Sequence, residues 1–67
     1  MTSDYQWLVG ESYTFEDGDK IEVLQIKARS EDEILVHYLT YQGPGIPRKL
    51  VMGVQAFLDA YGHLFQK

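Results

Sequence analysis

The sequence predicts a mainly β protein, a small antiparallel barrel of four or five strands closed by one C-terminal α-helix. Three observations predict it. Apolar and β-branched residues dominate residues 20–28 and 34–41 at the period-two spacing of strands. Asp17-Gly18 stands between two such runs, where glycine accepts positive φ and a tight hairpin can turn. Val54, Phe57, Leu58 and Tyr61 then fall at i, i+3, i+4 and i+7, the stripe of an amphipathic helix.

Taken in order, residues 1–6 read as a loose lead-in of Thr, Ser and Asp with little pattern. Trp7-Leu8-Val9 is apolar and opens the β region, residues 7–52. Gly10-Glu11-Ser12 turns the chain into Tyr13-Thr14-Phe15, in which Tyr13 and Phe15 share a face. Residues 16–19 make the hairpin turn. In the next strand, residues 20–28, Ile21 and Val23 lie in one phase, and Leu24 and Ile26 lie in the other. A sheet with one wet face does not want both, so either both faces are covered or a bulge near Val23-Leu24 switches the phase. Residues 29–33 form a charged turn. Residues 34–41 form a central strand, with Ile34, Val36, Tyr38 and Thr40 on one face and Leu35, His37, Leu39 and Tyr41 on the other. Residues 43–49, Gly-Pro-Gly-Ile-Pro-Arg-Lys, hold both prolines and end the ladder before a fourth strand at 48–52. The helix is expected over 54–62, with Gly62 as its left-handed stop. A tail at 63–67 returns Leu64 and Phe65 to the core.

Val9-Gly10-x-x-Tyr13-x-Phe15 before a hairpin, alternating strands and a Pro-Arg-Lys-Leu strand resemble SH3-like small barrels. More narrowly, an Arg-x-hydrophobic strand followed by a Phe57-x-x-x-Tyr61 helix resembles short uncharacterised phage and prophage proteins. The resemblance spans roughly residues 9–65. It implies the fold and a phage or prophage setting, and it carries over no functional residue.

Composition narrows the function. The 67 residues make one domain, residues 1–67. A domain of this size buries only ~60% of the surface its unfolded chain exposes. The chain has no cysteine, which excludes disulfides and cysteine-containing zinc sites and fits a cytoplasmic location. With 45% hydrophobic and 13% aromatic residues, a packed core is expected. No apolar run approaches the ~20 residues of a membrane span, and the N-terminus reads as lacking the basic and apolar regions of a secretory signal. A net charge of −4 opposes general affinity for phosphate backbones and suits an acidic surface that meets a basic partner.

Few residues carry reaction chemistry. His37 and His63 are the only imidazoles, and they lie far apart in sequence on a strand and beyond the helix stripe. Without cysteine a metal site would need both His together with Asp or Glu, and no His-x-x-x-His spacing exists. Ser3, Ser12 and Ser30 sit in lead-in or turn positions without a nucleophile elbow, and read as turn formers. Asp17-Gly18-Asp19 lacks the twelve-residue pattern of a calcium loop. Pro44 and Pro47 remove backbone donors that a phosphate cradle would use. The Pro-x-x-Pro-x-basic match at 44–49 reads as a rigid connection between strands, since glycine weakens polyproline pre-ordering. The expectation is therefore no enzyme, no cofactor and no metal.

What remains are surfaces. Glu16, Asp17 and Asp19 crowd one turn, and Glu31, Asp32 and Glu33 crowd the next, at the opposite end of a meander. The loop at 43–49 should share an end with Glu16, Asp17 and Asp19, and it brings Tyr41, Ile46 and Arg48 beside them. Tyr5, Trp7 and Tyr41 are the aromatics expected to reach solvent. The expected function is non-enzymatic protein binding through these acidic turns. With the resemblance, it becomes that of a phage or prophage accessory or inhibitor protein. Two alternatives are single-strand nucleic-acid binding, by stacked aromatics with Lys27, Arg29, Arg48 and Lys49, and assembly as a homo-oligomer.

Overall fold

The computed structural model describes residues 2–65, with side chains over residues 4–65. A 3₁₀ helix (Thr2–Leu8) leads into four strands, β1 (Ser12–Thr14), β2 (Lys20–Ser30), β3 (Glu33–Tyr41) and β4 (Arg48–Gly53), and then helix α1 (Val54–Phe65). The strands form one antiparallel meander in chain order.

The first hairpin turns where Asp17-Gly18 predicts. Gly18 N–H donates to the Phe15 carbonyl at 3.0 Å, and Phe15 N–H donates to the Asp19 carbonyl at 2.7 Å. Gly18 takes φ +94°, which costs glycine little and a side-chain-bearing residue more. The Asp17 carboxylate accepts from Asp19 N–H at 3.0 Å and pins the turn from inside.

The phase conflict in β2 is resolved by a bulge. Val23 pairs with Tyr38 and Ile26 with Val36, so Leu24 and Gln25 together oppose His37. This extra residue carries Ile26 back to the face of Ile21 and Val23, leaving Leu24 on the other side. All three inward residues are buried. A second irregularity at Arg29 precedes the two-residue turn Glu31-Asp32.

The core lies between the inner face of the sheet and the helices. Ile21, Val23, Ile26, Val36 and Tyr38 meet Val54, Phe57 and Phe65 of α1 and Leu8 of the 3₁₀ helix. Phe57 is completely buried and tilts against Tyr38 at 5.2 Å between ring centroids. Aromatic pairs at this spacing add ~0.5–1.5 kcal/mol beyond the area they bury.

Three expectations are corrected. The sheet is open, with β1 and β4 as its edges, and no barrel closes. β1 has only three residues, all exposed, and is too short to wrap round to β4. α1 touches β1, β3 and β4 instead, and so covers the core that barrel closure would have shielded. The lead-in at 1–6 is not loose over its described part, because the 3₁₀ helix runs from Thr2 to Leu8. At three residues per turn, Tyr5 and Leu8 lie on one face. Leu8 is wholly buried, and Tyr5 packs on the core and accepts a hydrogen bond from Gln55 Nε2 at 3.4 Å. Trp7 and Val9, between and beyond them, stay exposed.

The third correction concerns Gly62, which does not stop the helix. Its φ is not positive, it is buried, and α1 continues to Phe65. Phe65 stacks on Phe57 at 6.0 Å and is 5% exposed. Burying a phenylalanine is worth ~1.5–3 kcal/mol, which offsets the ~1 kcal/mol that a helical glycine costs. Residues 63–65 of the expected tail are thus helical, and Gln66 and Lys67 lie outside the described residues.

Candidate functional site

The β1–β2 turn and the β3–β4 loop come together at one end of the sheet, as a meander requires. Lys20 pairs with Tyr41 at that end, while Ser30 pairs with Glu33 at the other. Gly43 N–H reaches the Asp19 carboxylate at 3.4 Å, a long hydrogen bond that ties the loop to the turn. Gly43 makes this approach with φ +62°.

Between turn and loop lies a cleft of about 260 Å³, lined by Phe15, Asp17, Asp19, Lys20, Ile21, Thr40, Tyr41, Gln42 and Tyr61. Each element contributes for a local reason. Phe15 is held by an edge-on contact with Tyr13 at 5.2 Å. Tyr61 is the last residue of the helical stripe, leans on Phe57 at 5.2 Å and also lines the cleft. Tyr41 donates its hydroxyl to Glu22 Oε1 at 3.1 Å, and Lys20 Nζ sits 5.4 Å from the centre of its ring. That hydrogen bond to Glu22, reinforced by partial burial and by the Glu22 charge, raises the Tyr41 pKa and keeps the phenol protonated.

Of the residues singled out in the sequence, Asp17, Asp19 and Tyr41 meet in this cleft. Glu16, Ile46 and Arg48 are at the same end but do not line it. Ile46 stands 90% exposed on the loop, and Arg48 opens β4 opposite Thr40. Glu31, Asp32 and Glu33 occupy the far end and do not join the cleft. There Glu33 makes an exposed ion pair with Arg29 at 3.4 Å, of a kind worth little to stability.

Phe15, Lys20 and Tyr61 are cleft residues that the sequence did not announce. Tyr61 carried a signal that pointed elsewhere, since its place in the helical stripe marked it as core. His37 lies on the sheet face away from α1, and His63 is exposed on α1 itself, so the sheet separates them. Among the described residues, no three His, Asp or Glu side chains gather as a metal-ligand set. No described helix is long and apolar enough to cross a membrane. Set against known protein families, curated proteins and solved structures, the chain matches none.

Proposed function

We propose that this protein is a non-enzymatic protein-binding module, and that the acidic end of its sheet receives a basic side chain of a protein partner. The observation that supports this reading is the cleft, which sets the carboxylates of Asp17 and Asp19 among the rings of Phe15, Tyr41 and Tyr61. A lysine or arginine entering there meets opposite charge together with aromatic surface, the two features that hold a cation. Lys20 already uses the Tyr41 ring in this way and would be displaced or joined by the incoming group. Ile46, almost fully exposed beside the cleft, supplies an apolar contact on the same approach. Glu16 and the distant Glu31, Asp32 and Glu33 add to the long-range field that draws a basic surface in. As a phage or prophage accessory or inhibitor protein, the module would act by occupying such a surface on its target.

The test uses a peptide library with Arg or Lys fixed at one position and its neighbours randomised. Selected peptides should shift the backbone resonances of Asp19, Tyr41 and Gly43. They should lose at least tenfold in affinity against the Asp17→Lys/Asp19→Lys protein. Reversal of Glu31, Asp32 and Glu33 should slow association and flatten its salt dependence while leaving the dissociation rate unchanged. Binding that survives both reversals removes the acidic surface from the mechanism.

A further inference from the structure

The face of the sheet turned away from α1 has a charge opposite to that of the molecule. The phase that buries Val36 and Tyr38 on the inner side puts Leu35, His37, Leu39 and Tyr41 of β3 on the outer side. Their cross-strand neighbours are Lys20, Glu22, Gln25 and Lys27 on β2, and Lys49 and Val51 on β4. Leu24 joins them through the bulge. Three lysines thus share this face with two carboxylates, Glu22, which is engaged by the Tyr41 hydroxyl, and Glu33 at the far end, which is paired with Arg29. The middle of the face is aliphatic. Leu24, Leu35 and Leu39 are half-buried, and Val51 is 51% exposed. No described element packs against it.

The imidazole at its centre adds no charge near neutral pH. Burial, and then the charges of Lys27 and Lys49, lower the His37 pKa below its ordinary value. The groups facing His37 across the strands are Gln25 and Val51, neither of them charged. The surface is therefore an aliphatic patch with Lys27 on one flanking strand and Lys49 on the other.

From this face we infer that the outer side of the sheet docks an amphipathic helix of a partner protein, with its apolar ridge on Leu24, Leu35, Leu39 and Val51 and acidic flanks on Lys27 and Lys49. The site adjoins the acidic cleft at Lys20 and Tyr41 and asks for the opposite charge. Charge decides among the possible occupants. A second copy of this chain laid face to face would set lysines against lysines. A single-stranded nucleic acid needs open rings on which bases stack. The one phenol here, Tyr41, is held by Glu22 and covered by Lys20. An anionic bilayer takes up protruding apolar groups, whereas these leucines are half-buried between longer lysine side chains. A helix with apolar residues at i, i+3, i+4 and i+7 and Glu on both flanks matches this face in its apolar middle and in sign.

The experiment displays a library of such helices, each flank position varied between Glu, Gln and Lys, on the intact protein. Counter-selection uses the Lys27→Glu/Lys49→Glu protein and, separately, Val51→Glu. All three positions are exposed, so the variants should fold, which circular dichroism checks. Enriched helices should carry Glu on both flanks and perturb the resonances of Leu35, His37, Leu39 and Val51. They should bind each variant at least tenfold more weakly. Enrichment without preference for Glu, equal binding to the variants, or no enrichment at all would each overturn the inference. So would retention of an oligothymidine or of phosphatidylglycerol vesicles that the lysine reversals abolish, since the face would then belong to those ligands. Selection of basic peptides in the cleft is scored on other resonances, so either site can fail without the other.

Discussion

Replacing Gly62 by alanine separates two pictures of the C-terminal segment by the sign of one number. If Gly62 ended the helix in the left-handed region, alanine there would cost about 1–2 kcal/mol of backbone strain. In the structure Gly62 lies inside α1, without a positive φ. A Cβ at this position would meet Leu58 Cδ2 at 3.4 Å and Leu58 Cβ at 3.5 Å, the near edge of ordinary contact with no overlap. The substitution should then gain the helix-propensity difference between alanine and glycine, about 1 kcal/mol. In a domain of this size 1 kcal/mol moves the melting temperature by roughly 4–8 °C. Thermal unfolding followed by circular dichroism measures the shift. Urea titration checks that the denaturant dependence is unchanged, so that the shift reports stability and not a change in the compactness of either state. A Gly62→Ala protein that melts below the parent would refute the continuous helix, and with it the account of why Phe65 is buried.

Other substitutions probe the remaining elements. Leu8→Ala should cost about 2–5 kcal/mol by urea unfolding, because the fully buried side chain would leave a cavity; a loss below ~0.5 kcal/mol, the range for surface positions, would return residues 2–8 to the status of a loose lead-in. Gly18→Ala should destabilise by roughly 1–2 kcal/mol from φ alone, since nothing lies within 4 Å of the added Cβ. His37 should make the protein less stable in mild acid. Its pKa is lowered in the folded state, so the unfolded chain takes up the proton first, and stability is lost as pH falls below the ordinary histidine value. His37→Leu should flatten the slope of urea midpoint against pH between about 7.5 and about 5, above the range where carboxylates titrate. It should also raise stability at neutral pH, because the Nδ1 atom of His37 is buried without a hydrogen-bond partner. An unchanged pH slope would show that this imidazole titrates as freely in the folded chain as in the unfolded one.

Local chemistry made much of the molecule legible. Asp17-Gly18 marked its hairpin because positive φ is a property of one residue in one turn. The alternation in β3 separated Val36 and Tyr38 from Leu35, His37 and Leu39 because pleating is a backbone property. The conflict of phase in β2 left covered faces or a bulge as its two resolutions, and a bulge is found between Val23 and Gln25. The shared end of the acidic turn and the proline loop followed from connectivity alone. Asp17, Asp19 and Tyr41 could therefore be singled out before any coordinates.

Other features depend on groups distant in sequence. Residues 2–8 have no amphipathic pattern long enough to recognise, and their 3₁₀ turn is held by the core that accepts Leu8. Gly62 carries the same local signal whether a helix stops or continues there, and the docking of Phe65 on Phe57 decides between the two. Whether four strands close or stay open depends on the reach of a three-residue β1 and on α1 lying across the inner face. The gathering of Phe15 and Tyr61 into one cleft with Asp17 and Asp19 follows from that same placement of α1. The sequence by itself determined which residues turn, alternate and form a helical stripe, because those are short-range properties of the backbone. The tertiary structure alone decided where the elements end and which face stays uncovered, because burial is a free energy shared among residues far apart in the chain.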